Sequence, residues 1–393
     1  MGKECINFFR ALVHKAVCNL AEGVAADCEI INNHAGFAFY IADNLKCIGV
    51  FVVADANLVA DCNIAAENVC VCPCALCRTR IGRNDNEIFI NNGFLKILTS
   101  KKYDIIIPHE FGIVTIIAII YRWWLKLTFR KSYRLIITVD DSYDMIANHN
   151  QFSWKHKLAT RLMLPLVDDM INVEPRVVDY YRKHYGKGTY FPIICDDNRA
   201  EAELKACLPI SERIIKEFNL EGKKILLYVG RLVELKNLRM VMQAYLSIQE
   251  SNTIFSIIGD GPEMTKLKEI AKDRKDILFL GKKTGHELYA WYNIAQLFVL
   301  ASWQEAFGAV TNEALQGGCR CLISELAGSQ CLIKEGINGR TFNPHDKKTF
   351  TTLLATEIKN ISTPVKLPLK QRKNMMPQRF DQLINNVIQL IEK

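Results

Sequence analysis

The sequence predicts an α/β protein of two domains, each a parallel sheet with helices on both faces. Three observations predict it. The chain has 393 residues, more than one hydrophobic core usually organises, which divides it into two units of roughly 200 residues. Its composition, 49% hydrophobic and 23% charged, supplies apolar material for two cores. Through the second half, short apolar runs that end in glycine alternate with helix-period segments of about 10–12 residues, as strands joined by crossover helices do.

From the start, MGKECINFFRALVHKAVCNLAEG breaks each apolar run with Arg10, His14 or Lys15, which makes a poor signal peptide. Strand-like runs follow at 103–112, 133–141, 168–175 and 189–197, most with polar residues directly after them. Between the first two, FGIVTIIAIIYRWWLKLTFRK (111–131) is apolar as far as Arg122, short of the ~18 residues a spanning helix needs. Its Tyr121, Trp123, Trp124 and Phe129, set among Arg122, Lys126, Arg130 and Lys131, suit either an interfacial helix on anionic lipid or a core helix with a solvated end. Residues 196–222 are charged and poorly periodic, and a linker is expected there.

The second half reads as strands at 225–230, 253–259, 277–281, 297–302 and 319–324. LRMVMQAYLSI places Leu238, Val241, Met242, Tyr245 and Ile248 on one helical face. The last stretch, FDQLINNVIQLIEK, gathers Phe380, Leu383, Ile384, Val387, Leu390 and Ile391 along one side, an amphipathic helix. Ligands of such sheets bind in the crevice at the carboxyl ends of the strands.

The net charge of +8 suits phosphate-bearing ligands or an anionic surface. No dense Lys/Arg block or RNA-binding signature accompanies it, so nucleic acid is not expected as a partner. The 14 cysteines in a long chain read as reduced thiols of a cytoplasmic protein. Nine fall in the first 77 residues, and CVCPCALC (Cys70 to Cys77) has enough thiols for one zinc, with incidental thiols as the other reading.

The loops after the strands carry the chemistry. In YVGRLVELKN, Gly230 ends a strand and Arg231 and Lys236 set two cations at the crevice mouth, a fork and a compact charge for phosphate oxygens. In IGDGPE, Gly259 and Gly261 flank Asp260, and glycine lets a ligand approach the backbone. In QEAFGAVTNEALQGG (304–318), Glu305 and Glu313 lie on either side of a loop and helix start whose N–H groups suit an anion. Two acids beside such a site suit sugar hydroxyls on a molecule that also carries phosphate.

In order and spacing, these motifs together with ELYAWYNIAQLFVLAS resemble the nucleotide-sugar half of family 4 retaining glycosyltransferases of the GT-B type, over about residues 222–345. The resemblance implies two Rossmann-like domains facing across a cleft. The acceptor-binding domain would cover 1–200 and the nucleotide-sugar domain 201–375, with 376–393 forming a helix that crosses back to the first. It implies that Glu305 contacts the transferred sugar and Glu313 the ribose. Arg231 and Lys236 would hold the diphosphate, and the backbone around Phe307, Gly308, Ala309 and Val310 would assist, with Gly230 and Gly259 beside the donor. Gly36, in NNHAGFAFYIADNL (32–45), would be a close-approach glycine over the phosphates.

Cations placed beforehand at the diphosphate would stabilise the leaving group. The chain has no Asp-x-Asp motif, so transfer is expected without metal or cofactor, the co-substrate being a UDP- or GDP-linked sugar. The acceptor would be a polysaccharide, oligosaccharide or lipid-linked glycan, met at the inner face of a membrane. The chain departs from the family where Thr-x-His-Asp is usual, reading Thr138, Val139, Asp140, Asp141. His109 and Glu110, after an earlier strand, are further candidates for the acceptor side of the cleft, with His109 a candidate catalytic group. The departure at Asp140 leaves open a silent nucleotide-sugar-binding or scaffold protein, and the cysteines leave open a metal or redox protein.

Overall fold

A computed structural model of the protein describes residues 50–54, 69–73, 78–81, 88–91, 98–99, 103–147, 154–248, 252–272 and 274–392, the four short segments between 50 and 91 as backbone. Gly36 and the 32–45 segment lie outside the described residues, as do Cys74 and Cys77 of the cysteine cluster.

The first half contains β1 (Val50–Ala54), β2 (Val69–Pro73), an antiparallel pair β3 (Arg78–Ile81) and β4 (Ile88–Asn91), then β5 (Ile105–Ile107) and α1 (Ile113–Leu127). It continues through β6 (Arg134–Val139), α2 (Tyr143–Ala147), α3 (Trp154–Met163), β7 (Asp169–Asn172), α4 (Pro175–Tyr185) and β8 (Thr189–Tyr190). Its main sheet runs β2-β1-β5-β6-β7-β8, every pair parallel. The order reverses between β1 and β5, so the loop after β5, carrying His109 and Glu110, opens at a topological switch point. Helix α4 shows local rules at both ends. The Glu174 carboxylate caps it by accepting from Val177 N at 3.1 Å, and Gly186 ends it at φ +67°, the left-handed turn glycine makes without strain.

The expected linker is not a linker. Residues 196–222 form α5 (Asp197–Ala206) and α6 (Leu208–Glu217), packed on the second-domain helix Gly285–Ile294. Asn293 Nδ2 donates to the Leu204 carbonyl at 2.7 Å and Ser211 Oγ to the Ala290 carbonyl at 3.1 Å. The buried stripe is short, Ala200 and Leu204 on α5 and Ile214 and Ile215 on α6, so charge hid the period.

The second half contains β9 (Lys224–Val229), α7 (Leu238–Ser247), β10 (Thr253–Ile258), α8 (Met264–Ala271), β11 (Ile277–Phe279) and α9 (Gly285–Ile294). It ends with β12 (Leu297–Leu300), α10 (Val310–Gln316), β13 (Arg320–Ser324), β14 (Gly339–Phe342), α11 (Lys347–Lys359) and α12 (Phe380–Glu392). The sheet order is β11-β10-β9-β12-β13-β14, all parallel. These strands are short apolar runs because both faces are covered; β12 is buried at every position. The order reverses between β9 and β12, which sets the loops carrying Arg231 and Lys236 and Glu305 side by side.

Helix α12 buries all six apolar residues read from its sequence. Phe380 meets Phe191 edge to face at 5.8 Å between centroids, and the Arg134 guanidinium of β6 donates to the Leu390 and Ile391 carbonyls at 2.9 and 3.0 Å. The chain therefore returns to the first sheet, and one hydrophobic cluster joins Ile107 and Ile171 of that sheet to Phe298 and Ile323 of the other.

Candidate active site

At the second sheet's switch point, Glu305 and Lys236 form an ion pair, their side chains 17% and 13% exposed. Ser302 Oγ donates to the same Glu305 carboxylate at 3.3 Å. Trp303 N donates to the Leu235 carbonyl at 3.0 Å, so the loop after β12 is bonded to the loop after β9. Two positions read separately thus become one mostly covered charged pair beyond the carboxyl ends of β9 and β12. Arg231 is exposed beside it.

Gly230 and Gly259 close this floor. Gly230 N donates to the Ile258 carbonyl at 3.0 Å. A Cβ on Gly259, at φ +142°, would stand 1.9 Å from the Gly230 carbonyl oxygen. The close approach that requires glycine here is therefore made by the neighbouring loop's backbone. Gly308, at φ +91°, has the Leu300 side chain 2.7 Å from where a Cβ would stand, so the turn into α10 presses on the end of β12.

The rest of the acidic motif is more covered than its sequence suggests. Glu313 is 2% exposed and accepts from the Tyr292 hydroxyl at 2.8 Å. Phe307 is 1% exposed in the core, and its carbonyl accepts from Ser329 N at 2.7 Å. Of the two carboxylates, Glu305 borders the crevice; Ala309 and Val310 at the start of α10 are half-buried.

Across the cleft stands a second polar cluster. His109 Nδ1 lies 3.1 Å from Thr138 Oγ1. Glu110 sits at φ +61°, a left-handed conformation costing a non-glycine residue ~1–2 kcal/mol. It is held there by Glu110 N to the Thr138 carbonyl at 2.8 Å and Thr115 Oγ1 to the Glu110 carbonyl at 2.6 Å. Asp140 N donates to Glu110 Oε1 at 3.2 Å. Burial, then the hydrogen bond to and charge of Asp140, push the Glu110 carboxyl up to about 9, so it carries a proton at neutral pH. Asp141 is 8% exposed, accepts from the Tyr181 hydroxyl at 2.5 Å and pairs with His156 Nε2 at 3.2 Å. A groove lined by His109, Asp140, Phe191 and Ile194 runs alongside.

His109, Glu110 and Asp140 each offer a ligand atom within 4.8 Å of the others, and Glu110, Asp141 and His156 do the same. These are the groups in the described cleft that could hold a cation.

The two clusters meet. Gln304 Nε2, next to Glu305, donates to Ser142 Oγ at 3.4 Å, next to Asp141. Sequence reading missed this bridge, together with Ser302, His156 and Tyr181, because each acts through a partner distant in the chain. Only a polar residue two or three positions past a strand end, Ser302 after β12 and Ser142 after β6, offered a signal.

Comparison with known proteins accords with this fold. Residues 210–374 match the family described as Glycosyl transferases group 1. N-acetyl-alpha-D-glucosaminyl L-malate synthase of Bacillus anthracis is 32% identical over 130 residues, 32% of this chain and 33% of that protein. Alpha-monoglucosyldiacylglycerol synthase of Acholeplasma laidlawii is 29% identical over 128 residues, 31% and 32% of the two chains. The match thus spans about a third of the length of these curated relatives. Among solved structures, WaaG, a glycosyltransferase involved in lipopolysaccharide biosynthesis, superposes with a TM-score of 0.59 over 93% of this chain and 92% of its own, at 14% identity. Anabaena HepE in complex with UDP and glucose gives 0.58 over 76% and 80%, at 16% identity.

Proposed function

We propose, from the premise that this chain has the GT-B fold and that its residues 210–374 match the glycosyl transferases group 1 family, that it is a retaining hexosyltransferase. It moves a sugar from a nucleotide-diphosphate sugar to a polysaccharide, oligosaccharide or lipid-linked acceptor in cell-surface glycan synthesis, on the cytoplasmic side of a membrane. The observation that carries this reading is the Glu305–Lys236 pair at the β9/β12 switch point, facing the Asp140–Ser142 loop across a hydrogen-bonded cleft. The sugar presents hydroxyl donors, which a carboxylate accepts, and the diphosphate presents the anion that Lys236 and Arg231 meet.

The bond between C1 and the phosphate oxygen breaks with its electron pair going to the nucleoside diphosphate. The acceptor hydroxyl oxygen bonds to C1 on the same face, and its proton passes to the departing phosphate. Positive charge gathers on the sugar and negative charge on the phosphate, so Glu305 on one side and Lys236 and Arg231 on the other stabilise the separation. Those two cations perform the task without a metal. Glu313 serves the ribose in this reading. His109, protonated Glu110 and Asp140 form the wall nearest the acceptor. A uridine donor is favoured by the UDP bound in the structurally similar HepE, and a lipid acceptor by the relative named for diacylglycerol glucosylation.

Proton NMR of the product anomeric centre, begun before it equilibrates and run in EDTA, tests the reading. Retained configuration with turnover unchanged by EDTA is expected. Inverted configuration, or activity lost in EDTA and restored by a divalent cation, would contradict it and direct attention to the His109, Glu110 and Asp140 cluster.

A further inference from the structure

Among the described residues, fifteen large hydrophobic side chains are exposed, and eleven of them lie between Ile113 and Leu166. They form two helical stripes. On α1, Ile116, Ile120, Trp123 and Leu127 are exposed at 43%, 63%, 52% and 72%. On α3, Trp154, Leu158 and Leu162, spaced by four, are exposed at 70%, 47% and 59%. The opposite side of each helix is in the core of the first domain, through Val114, Ala118, Ile119 and Leu125 on α1 and Met163 on α3. Among the described residues, the outward stripes are additional to the core of the first domain.

The two helices are neighbours and run the same way. Phe111, just before α1, meets His156 near the start of α3 edge to face at 5.4 Å. Further along, the Arg122 guanidinium donates to the Leu166 carbonyl at 3.1 Å and pairs with Asp168 at 2.7 Å. The charge carried by the two helical segments themselves is cationic, with Asp168 and Asp104 pairing to Arg122 and Lys131 at the edge of the face. Residues 111–134 hold five Lys or Arg, residues 154–166 hold three, and neither stretch has an Asp or Glu. Lys126, Lys155, Lys157 and Arg161 are exposed, and Arg130 lies over the Trp124 ring at 5.0 Å. Exposed tryptophans between aliphatic stripes and a border with a net excess of Lys and Arg match the headgroup boundary of an anionic bilayer. A protein partner would have to supply both a broad apolar face and an acidic rim. No described helix is long and apolar enough to cross a membrane.

We propose that the α1–α3 face seats this protein on an anionic bilayer and that the acceptor is anchored in the same leaflet. The geometry adds a direction. Both helices start at the cleft, α1 directly after His109 and Glu110, and α3 through His156 on Asp141. An α1 of 15 residues is ~22 Å long, so a headgroup at the platform's near edge stands beside the acceptor wall. The inference rests on the transferase reading for the acceptor and on this face alone for the bilayer.

The test is vesicle co-sedimentation of the full chain with phosphatidylcholine alone and with about 30% phosphatidylglycerol added. It is repeated with Trp123→Glu/Trp154→Glu and with Lys155→Glu/Lys157→Glu, recording the melting temperature of each. Expected are binding to anionic vesicles about tenfold tighter than to neutral ones, a blue shift of tryptophan emission on binding, and about a tenfold loss in either variant with unchanged melting. Absence of binding by the full chain, or equal binding by correctly folded variants, would overturn the proposal. So would a dimer abolished by the same substitutions without vesicle binding, which would assign the face to a second copy. Donor hydrolysis is measured in parallel without lipid. Its loss alone sinks the transferase reading, and loss of vesicle binding alone sinks this one.

Discussion

A carboxyl group buried beside a second carboxylate is more stable with its proton on, and Glu110 is such a group. Its pKa of about 9 in the folded chain stands well above the ordinary value near 4.5, through burial and Asp140. The unfolded chain releases that proton at lower pH than the folded one. The contribution to stability is therefore full below about pH 4.5, declines as pH rises, and is lost through about pH 9. Glu110→Gln keeps the shape and a hydrogen-bonding head without the titration. It is expected to flatten the fall in melting temperature between these pH values and to raise melting at pH 8 by on the order of 2–4 °C. Thermal melts at half-unit pH steps check this; a parallel decline in both proteins would assign it to other groups. Lys236 and Glu305 follow the opposite logic, each countering the other's charge where both are mostly covered, so the pair can face a diphosphate and a sugar without either charge standing alone.

At the scale of elements, the site depends on two strand-end loops pressed together, and glycine permits the contact. In Gly259→Ala the Cβ would overlap the Gly230 carbonyl, 1.9 Å away, in a backbone conformation alanine disfavours. A loss of about 2–4 kcal/mol is expected, with donor affinity falling too because the Arg231 loop must shift. Urea denaturation and donor titration measure the two effects, and an alanine variant as stable as the native chain would contradict this packing. Such loops were legible in the sequence because a buried parallel strand is a short unbroken apolar run and its end is punctuated by glycine. Five of the six strands of the second sheet and the six buried residues of α12 were readable for the same reason; the edge strand β14 (Gly339–Phe342), which carries Arg340 and Thr341 instead of an apolar run, was not read. Helices α5 and α6 were not, since each buries only a narrow stripe against α9 and is otherwise charged. Of α1, the apolar and aromatic content was legible. Its pairing with α3 was not, because the contacts that align them join residues 45 and 44 apart, Phe111 to His156 and Arg122 to Leu166.

For the molecule as a whole, the halves of the site belong to different domains. Residues 304–305 and 140–142 are brought together by packing that no local pattern contains. Besides Gln304 on Ser142, the Tyr190 hydroxyl meets Cys331 Sγ at 3.4 Å and the Arg176 guanidinium donates to the Glu325 carbonyl at 3.3 Å. Helix α12 ties the end of the chain to β6. Beside these polar contacts, one apolar cluster runs from Ile107 and Ile171 of the first sheet to Phe298 and Ile323 of the second, so buried hydrophobic surface as well as hydrogen bonds holds the two domains together. The central claim is that the crevice between β9 and β12 binds and activates a nucleotide-diphosphate sugar. The most direct measurement is nucleoside diphosphate release from a panel of UDP- and GDP-sugars in EDTA, comparing the native chain with Glu305→Gln and Arg231→Ala. One donor is expected to be turned over, with kcat/KM reduced about 10²–10³-fold in each variant; melting is expected to be preserved in Arg231→Ala, whose side chain is exposed, and lowered in Glu305→Gln, which leaves the covered Lys236 without its counter-charge. Release by the native chain that both variants match, or no release and no stabilisation by any sugar nucleotide, would contradict the account.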